Sequence, residues 1–171
     1  MDADLVLPSV GPEPIRADDA LADLQDAHVA MVDQETGLRG FLVTRQLRFL
    51  QPYHRGVSEL ARGMTSLDRH VEGDERMVGE VARLRAAQDE WVTSWVEPLL
   101  VWQPPVDDSA ALAELLEADK ALFDAYRAVE AEVRAAVEER RERADALGDW
   151  VVLGGAGLFV VVSAGVGTGV W

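Results

Sequence analysis

Apolar residues recur every three or four positions along most of this chain, and the pattern breaks only where prolines and glycines fall. The first stripe runs Leu21, Leu24, His28, Met31, Glu35, Leu38, Leu42, and the second runs Val57, Leu60, Met64, Leu67, Val71. A third runs Met77, Val81, Leu84, Gln88, Trp91, Trp95, and a fourth runs Leu112, Leu115, Asp119, Leu122, Tyr126, Val129, Val133 and on through Leu147. Alternating steps of three and four make a heptad seam, along which one helix buries a face against its neighbours. The spacing predicts an all-α fold, a left-handed four-helix bundle with helices over 17–44, 52–71, 75–100 and 109–148. Gly73 and Asp74 supply the second turn, and 98–108, with Pro104 and Pro105, the third. Ser109 is placed to cap the last helix, because a hydroxyl can accept from an orphan backbone N–H. No strand-like alternation competes.

Two segments stand outside this pattern. Residues 1–16 hold Pro8, Gly11, Pro12 and Pro14 without periodicity and read as a disordered tail. They do not read as a signal peptide, since Asp2 and Asp4 stand where a basic region belongs. At the other end, Trp150 to Trp171 contains no charged residue over 22 positions. As a helix it would span about 33 Å, against a hydrocarbon core of about 30 Å. A tryptophan sits at each end, where interfacial aromatics belong. The expected organisation is therefore a tail (1–16), a bundle (17–148) and a transmembrane helix (150–171) in the lipid bilayer. Gly148 is the one weak point in an otherwise continuous rod. Within the span, Gly165 with Gly169 and Ser163 with Gly167 form small-xxx-small pairs, which favour a homodimer.

Composition narrows the function classes. At 171 residues the chain can bury a real core. A net charge of −15 repels phosphate backbones, so no nucleic-acid partner is expected. Lys120 is the only lysine, and the absence of cysteine removes disulfides, thiolate metal sites and a cysteine nucleophile. A di-iron bundle needs Glu-x-x-His on two helices, and none of His28, His54 and His70 has a glutamate three before it. No serine sits in a recognisable elbow or triad context, and there is no Gly-rich phosphate loop. No catalytic residue, metal or cofactor is expected.

The polar residues within the seams are the remaining candidates. His28, Glu35, Gln88 and Asp119 could form a buried binding or switch network, or could simply fix helix register at some cost in stability. Trp91 and Trp95 could line a ligand pocket with Trp102, but they follow the seam and are expected in the core. Glu35 and Arg39 lie four apart in the favourable order for a helical ion pair. Gly37 and Gly40 flank Arg39 and each cost a helix about 1 kcal/mol, which a close approach by a neighbouring helix would offset.

From Asp33 to Tyr53 the chain reads DQETGLRGFLVTRQLRFLQPY, which resembles the CHASE domain of the third type, an extracellular sensory module of histidine kinases, cyclases and chemotaxis-type receptors. Glu35, Thr36, Gly37, Arg39 and Gly40 match the family's Glu-Thr-Gly-x-Arg-Gly motif. Phe41, Leu42 and Thr44 match the following run, and Arg48, Phe49, Leu50, Pro52 and Tyr53 the third part. Trp91, Trp95 and Pro98 look similar to a later motif, as do Lys120, Phe123, Asp124 and Arg127 with Arg140 and Arg141. The resemblance covers roughly residues 20–170. It implies a four-helix bundle between two membrane helices, with the bundle outside and a cytoplasmic kinase or cyclase output module, fused or separate, on the inside. In two respects the chain departs from the family. Arg45 stands where the family usually has glycine, which leaves the exact break between the first two helices open, and residues 1–16 cannot supply the preceding membrane helix.

The expected function is thus an extracytoplasmic signal-input domain acting through its transmembrane helix. The alternative is a cytoplasmic acidic interaction bundle held by a C-terminal anchor. Arg140, Arg141 and Arg143 lie just before the span, where the positive-inside rule would want them for that orientation.

Overall fold

A computed structural model describes residues 17–101 and 108–165, with side chains described as far as Ala146. The elements are α1 (Ala17–Thr44), a 3₁₀ turn (Leu47–Phe49), α2 (Leu50–Val71), α3 (Glu75–Trp91), a π segment (Val92–Val96), α4 (Glu97–Val101) and α5 (Ser109–Gly165). Because α3, the π segment and α4 follow without a gap, 75–101 forms one rod, and the described residues make four helical rods and no strand. The helix breaks fall within two residues of those expected. α2 begins at Leu50 rather than at 52, which puts Pro52 in the first turn, where a missing N–H costs little.

Local chemistry explains each break. α1 ends where the Arg45 N–H bonds back to the Phe41 carbonyl at 2.7 Å, with Arg45 in the left-handed region at φ 56°. That is an αL cap, the position at which glycine is usual. Gly73, at φ 87°, makes the next turn, and the Asp74 carboxylate accepts the Met77 N–H at 3.1 Å to start α3. At the start of α5 the cap is Asp108 and not Ser109: the Asp108 Oδ1 accepts the Ala111 N–H at 3.0 Å. Asp108 lies one position outside the helix, where a capping side chain must sit to reach the third residue on.

The π segment was not foreseen. Pro98 has no N–H to offer the Ser94 carbonyl, so an α-helix through it would lose a bond and clash. Just upstream, the Glu97 N–H reaches five residues back to the Val92 carbonyl, and the turn is widened. A wider turn closes on a spacing of four, so Trp91, Trp95 and Leu99 all face the core.

That core is built from the expected seams, with Leu24, Met31, Leu38 and Leu42 of α1 meeting Met64, Leu67, Met77, Leu84, Tyr126 and Val133. α1 also buries a second row at seven-residue spacing, Ala20, Ala27, Gln34 and Phe41. Ala27 of this row and Ala30 beside it let α2 come very close. A Cβ on Gly56 of α2 would stand 2.4 Å from the Ala30 carbonyl oxygen.

The helical backbone of α5 is unbroken from Ser109 to Gly165, through Gly148. Of the expected membrane span, residues 166–171, including Gly167 and Gly169, lie outside the described residues, while Ser163 and Gly165 are helical with side chains not described. Among the described residues no helix is long and apolar enough to cross a membrane.

Candidate functional site

The residues that join α1, α3 and α5 meet at Asp119. Its side chain is fully buried, at 0% exposure, and both carboxylate oxygens are engaged. The Arg39 Nε donates to Oδ2 at 2.5 Å and the Trp91 Nε1 donates to Oδ1 at 2.8 Å. Arg39 also pairs with Glu35 at 3.0 Å, so one guanidinium serves two carboxylates. Burial pushes the Asp119 carboxyl above the usual carboxylate range, against the bonds from Trp91 and Arg39 and the charge of Arg39. Burial likewise raises the Glu35 carboxyl, with Arg39 opposing. One turn along, the Trp95 Nε1 donates to the Leu115 carbonyl at 2.9 Å, fixing the π segment to α5.

Above this cluster a groove of about 420 Å³ runs between α1 and α5. His28, Val32, Glu35 and Arg39 line one wall; Lys120, Phe123, Asp124 and Arg127 line the other. At its end the His28 Nδ1 lies 2.6 Å from the Glu130 Oε2, and the other Glu130 oxygen takes Arg134 at 2.8 Å. Asp124 serves both Lys120, at 2.5 Å, and Arg127, at 3.6 Å. Among the groove residues there is no hydroxyl or thiol nucleophile, and among the described residues no group of three or more His, Asp or Glu could hold a metal ion. What this arrangement can do is bind a charged ligand and exchange ion-pair partners.

The four polar seam residues divide between two places. His28 and Glu35 line the groove and Asp119 lies beneath it, while Gln88 is buried in the core, where its Nε2 donates to the Met64 sulfur at 3.4 Å. Burial raises the pKa of the neighbouring Tyr126 hydroxyl, with the Glu130 charge adding to it. Trp91 and Trp95 are both buried, with ring centroids 5.5 Å apart, and neither lines the groove.

The Glu-Thr-Gly-x-Arg-Gly stretch splits by face. Glu35 and Arg39 turn to the groove, whereas Gly37 and Gly40 turn to the start of α2. A Cβ on Gly37 would come within 2.8 Å of the Tyr53 N and 2.9 Å of the Phe49 O, and one on Gly40 within 2.7 Å of the Phe49 ring. Thr36 is exposed, and Pro52 and Tyr53 are half-buried at the first turn of α2. Sequence reasoning missed Glu130 and Arg134, which complete the His28 end, and the partnership of Arg39 with Asp119. The reach from Lys120 to Arg127, already singled out by its resemblance, was the available signal for the second wall.

The sequence model of the family described as the CHASE3 domain matches residues 15–146. No curated protein and no solved structure matches.

Proposed function

The chain belongs to the CHASE3 domain family, and from that membership we propose that it is the extracytoplasmic input domain of a bacterial membrane receptor. A CHASE3 domain is a sensory domain and not a catalytic one. On this reading the signal passes along α5 through the bilayer to a cytoplasmic kinase or cyclase output module, with two copies of the chain paired across the span. The observation that carries the reading is α5 itself. The same helix that holds Asp119 in the bundle keeps its helical backbone to Gly165. A shift imposed at Asp119 therefore has a continuous element to travel along.

The lower half of the bundle grips that helix. Arg140 pairs with Asp74 at 2.6 Å and Arg141 with Asp18 at 3.3 Å, which tie α5 to the α2–α3 turn and to the start of α1. Arg143 pairs with Glu139 at 2.6 Å. The three arginines that lie just before the expected span thus each have an acidic partner within the protein.

Topology tests the proposal. The chain has no native cysteine, and Glu117 is exposed on α5. A cysteine placed there in the full chain should react with a membrane-impermeant thiol reagent in intact cells. Labelling that appears only after lysis would overturn the extracytoplasmic placement in favour of the anchored cytoplasmic bundle.

A further inference from the structure

Two charged clusters meet at the α1–α5 groove, one of them reaching down to Asp119 beneath it, and neither is balanced. Arg39 is one cation facing two carboxylates, Glu35 at 3.0 Å and Asp119 at 2.5 Å. Opposite, Lys120 and Arg127 are two cations facing one carboxylate, Asp124. Counted with Asp119 beneath the groove, the first cluster has one more carboxyl than cations, and the second has one more cation than carboxyls. They are close enough to sense each other, since Arg127 and Asp124 both act on the Glu35 carboxyl. Val32 and Phe123 also line the groove.

A ligand that completes both clusters must itself carry both charges, close together, on a small frame. We infer that this groove binds a small zwitterion of the amino-acid kind, with its ammonium group at Glu35 and its carboxylate between Lys120 and Arg127. The volume of about 420 Å³ is within the range of small-molecule pockets. The cationic side chains are free to adjust, being 71% exposed for Lys120 and 60% for Arg127. Burial without enough cation around it holds the Glu35 carboxyl above its usual range, and an ammonium group would supply what is missing. Arg39 pairs with both Glu35 and buried Asp119, so a ligand that draws on Glu35 alters the bond that holds Arg39 to α5.

This assignment rests on the sensory reading and gives it a ligand class, and its test is independent of membrane orientation. The melting temperature of the full chain is measured with each standard free amino acid at millimolar concentration, and with acetate and methylammonium, which carry one charge each. At about 100 times its dissociation constant, a bound amino acid should raise the melting temperature by roughly 5–10 °C. Arg127→Ala should abolish that shift, with its ligand-free melting curve reporting that it is folded, and Arg127→Lys should restore part of it. A shift with no amino acid, or one that survives in Arg127→Ala, overturns the site. An equal shift with acetate alone makes the groove a simple anion site and overturns the zwitterion.

Discussion

Within one short stretch, α1 makes two contacts of opposite character. Toward α2 it presents Ala27, Ala30, Gly37 and Gly40, and the helices meet so closely that backbone touches backbone. Toward α5 it presents His28, Glu35 and Arg39, and the helices stand apart over a polar groove. A close contact of small residues has no alternative packing without opening voids or clashes. An ion-paired contact can exchange partners at little cost in volume. On the proposed reading, α1 and α2 are the frame, and α5 is the element whose position a bound charge alters.

Destroying the close contact should have the largest effect. In Gly56→Ala the added Cβ would stand 2.4 Å from the Ala30 carbonyl oxygen and 2.8 Å from the Gln34 Cγ. The first neighbour is backbone and yields only if the helices separate. The cost should reach about 3 kcal/mol, a loss of roughly 6–12 °C in melting temperature. The same substitution at Gly79, where nothing lies within 4 Å, should instead stabilise by up to about 1 kcal/mol. Similar effects at the two glycines in thermal unfolding would refute the idea that α1 and α2 are locked by close approach.

These two contacts were unequally legible in the sequence. The apolar seams announced four helices, because large residues at heptad spacing leave a strong signal. The second row on α1, Ala20, Ala27, Gln34 and Phe41, has the same spacing, but alanine and glutamine carry little hydrophobic weight and the row was not seen. Gly37 and Gly40 could be read as points of close approach, though not which helix approached. On the other face, Glu35 and Arg39 were legible as a pair four apart, which is local information. That Arg39 also reaches Asp119, 80 residues away, depends on how the helices stack. The π segment escaped because 75–100 reads as one regular α-helix, whereas passing through Pro98 requires the preceding turn to widen. Capping by Asp108 in place of Ser109 is a one-position shift of the kind sequence patterns do not resolve.

Loosening the charged contact should have a smaller effect, and one that depends on pH. Arg39→Ala leaves the fully buried Asp119 with only the Trp91 N–H. Removing one partner of a buried pair costs about 3–5 kcal/mol, but Arg39 is 37% exposed and Asp119 can take up a proton, so about 2 kcal/mol is expected near neutrality. The sign with pH follows from the raised Asp119 pKa. A carboxyl that holds its proton more tightly in the folded state favours folding while protonated. That contribution is lost as the pH rises from the ordinary carboxylate range through the raised folded value. Without Arg39 the raised value moves higher still, so the penalty should shrink toward acid, where Asp119 is neutral in both proteins. Adding Asp119→Asn should cost less in the variant than in the native chain, because the uncompensated charge is gone. A penalty that is flat with pH, or strict additivity of the two substitutions, would mean that the pair contributes nothing to α5 docking.

The smallest effect is expected where the frame departs from its own chemistry. The α1–α2 contact uses glycine wherever backbones crowd, yet Arg45, which closes α1 in front of the turn into α2, sits at φ 56°. An L side chain in that region costs about 1–2 kcal/mol, and glycine would remove the strain at an entropic cost of about 0.5–1 kcal/mol in the unfolded chain. The N–H that bonds to the Phe41 carbonyl is backbone and survives the change. Set against Arg45→Ala, which loses the same side-chain interactions, Arg45→Gly should therefore be more stable by about 0.5–1 kcal/mol and melt about 1–4 °C higher. Arg45→Ala keeps a Cβ and so keeps the strain, and it should bring no such gain. If glycine and alanine behave alike, the positive φ is not what limits this turn. The rigidity of the frame would then rest on the Gly37, Gly40 and Gly56 contacts alone.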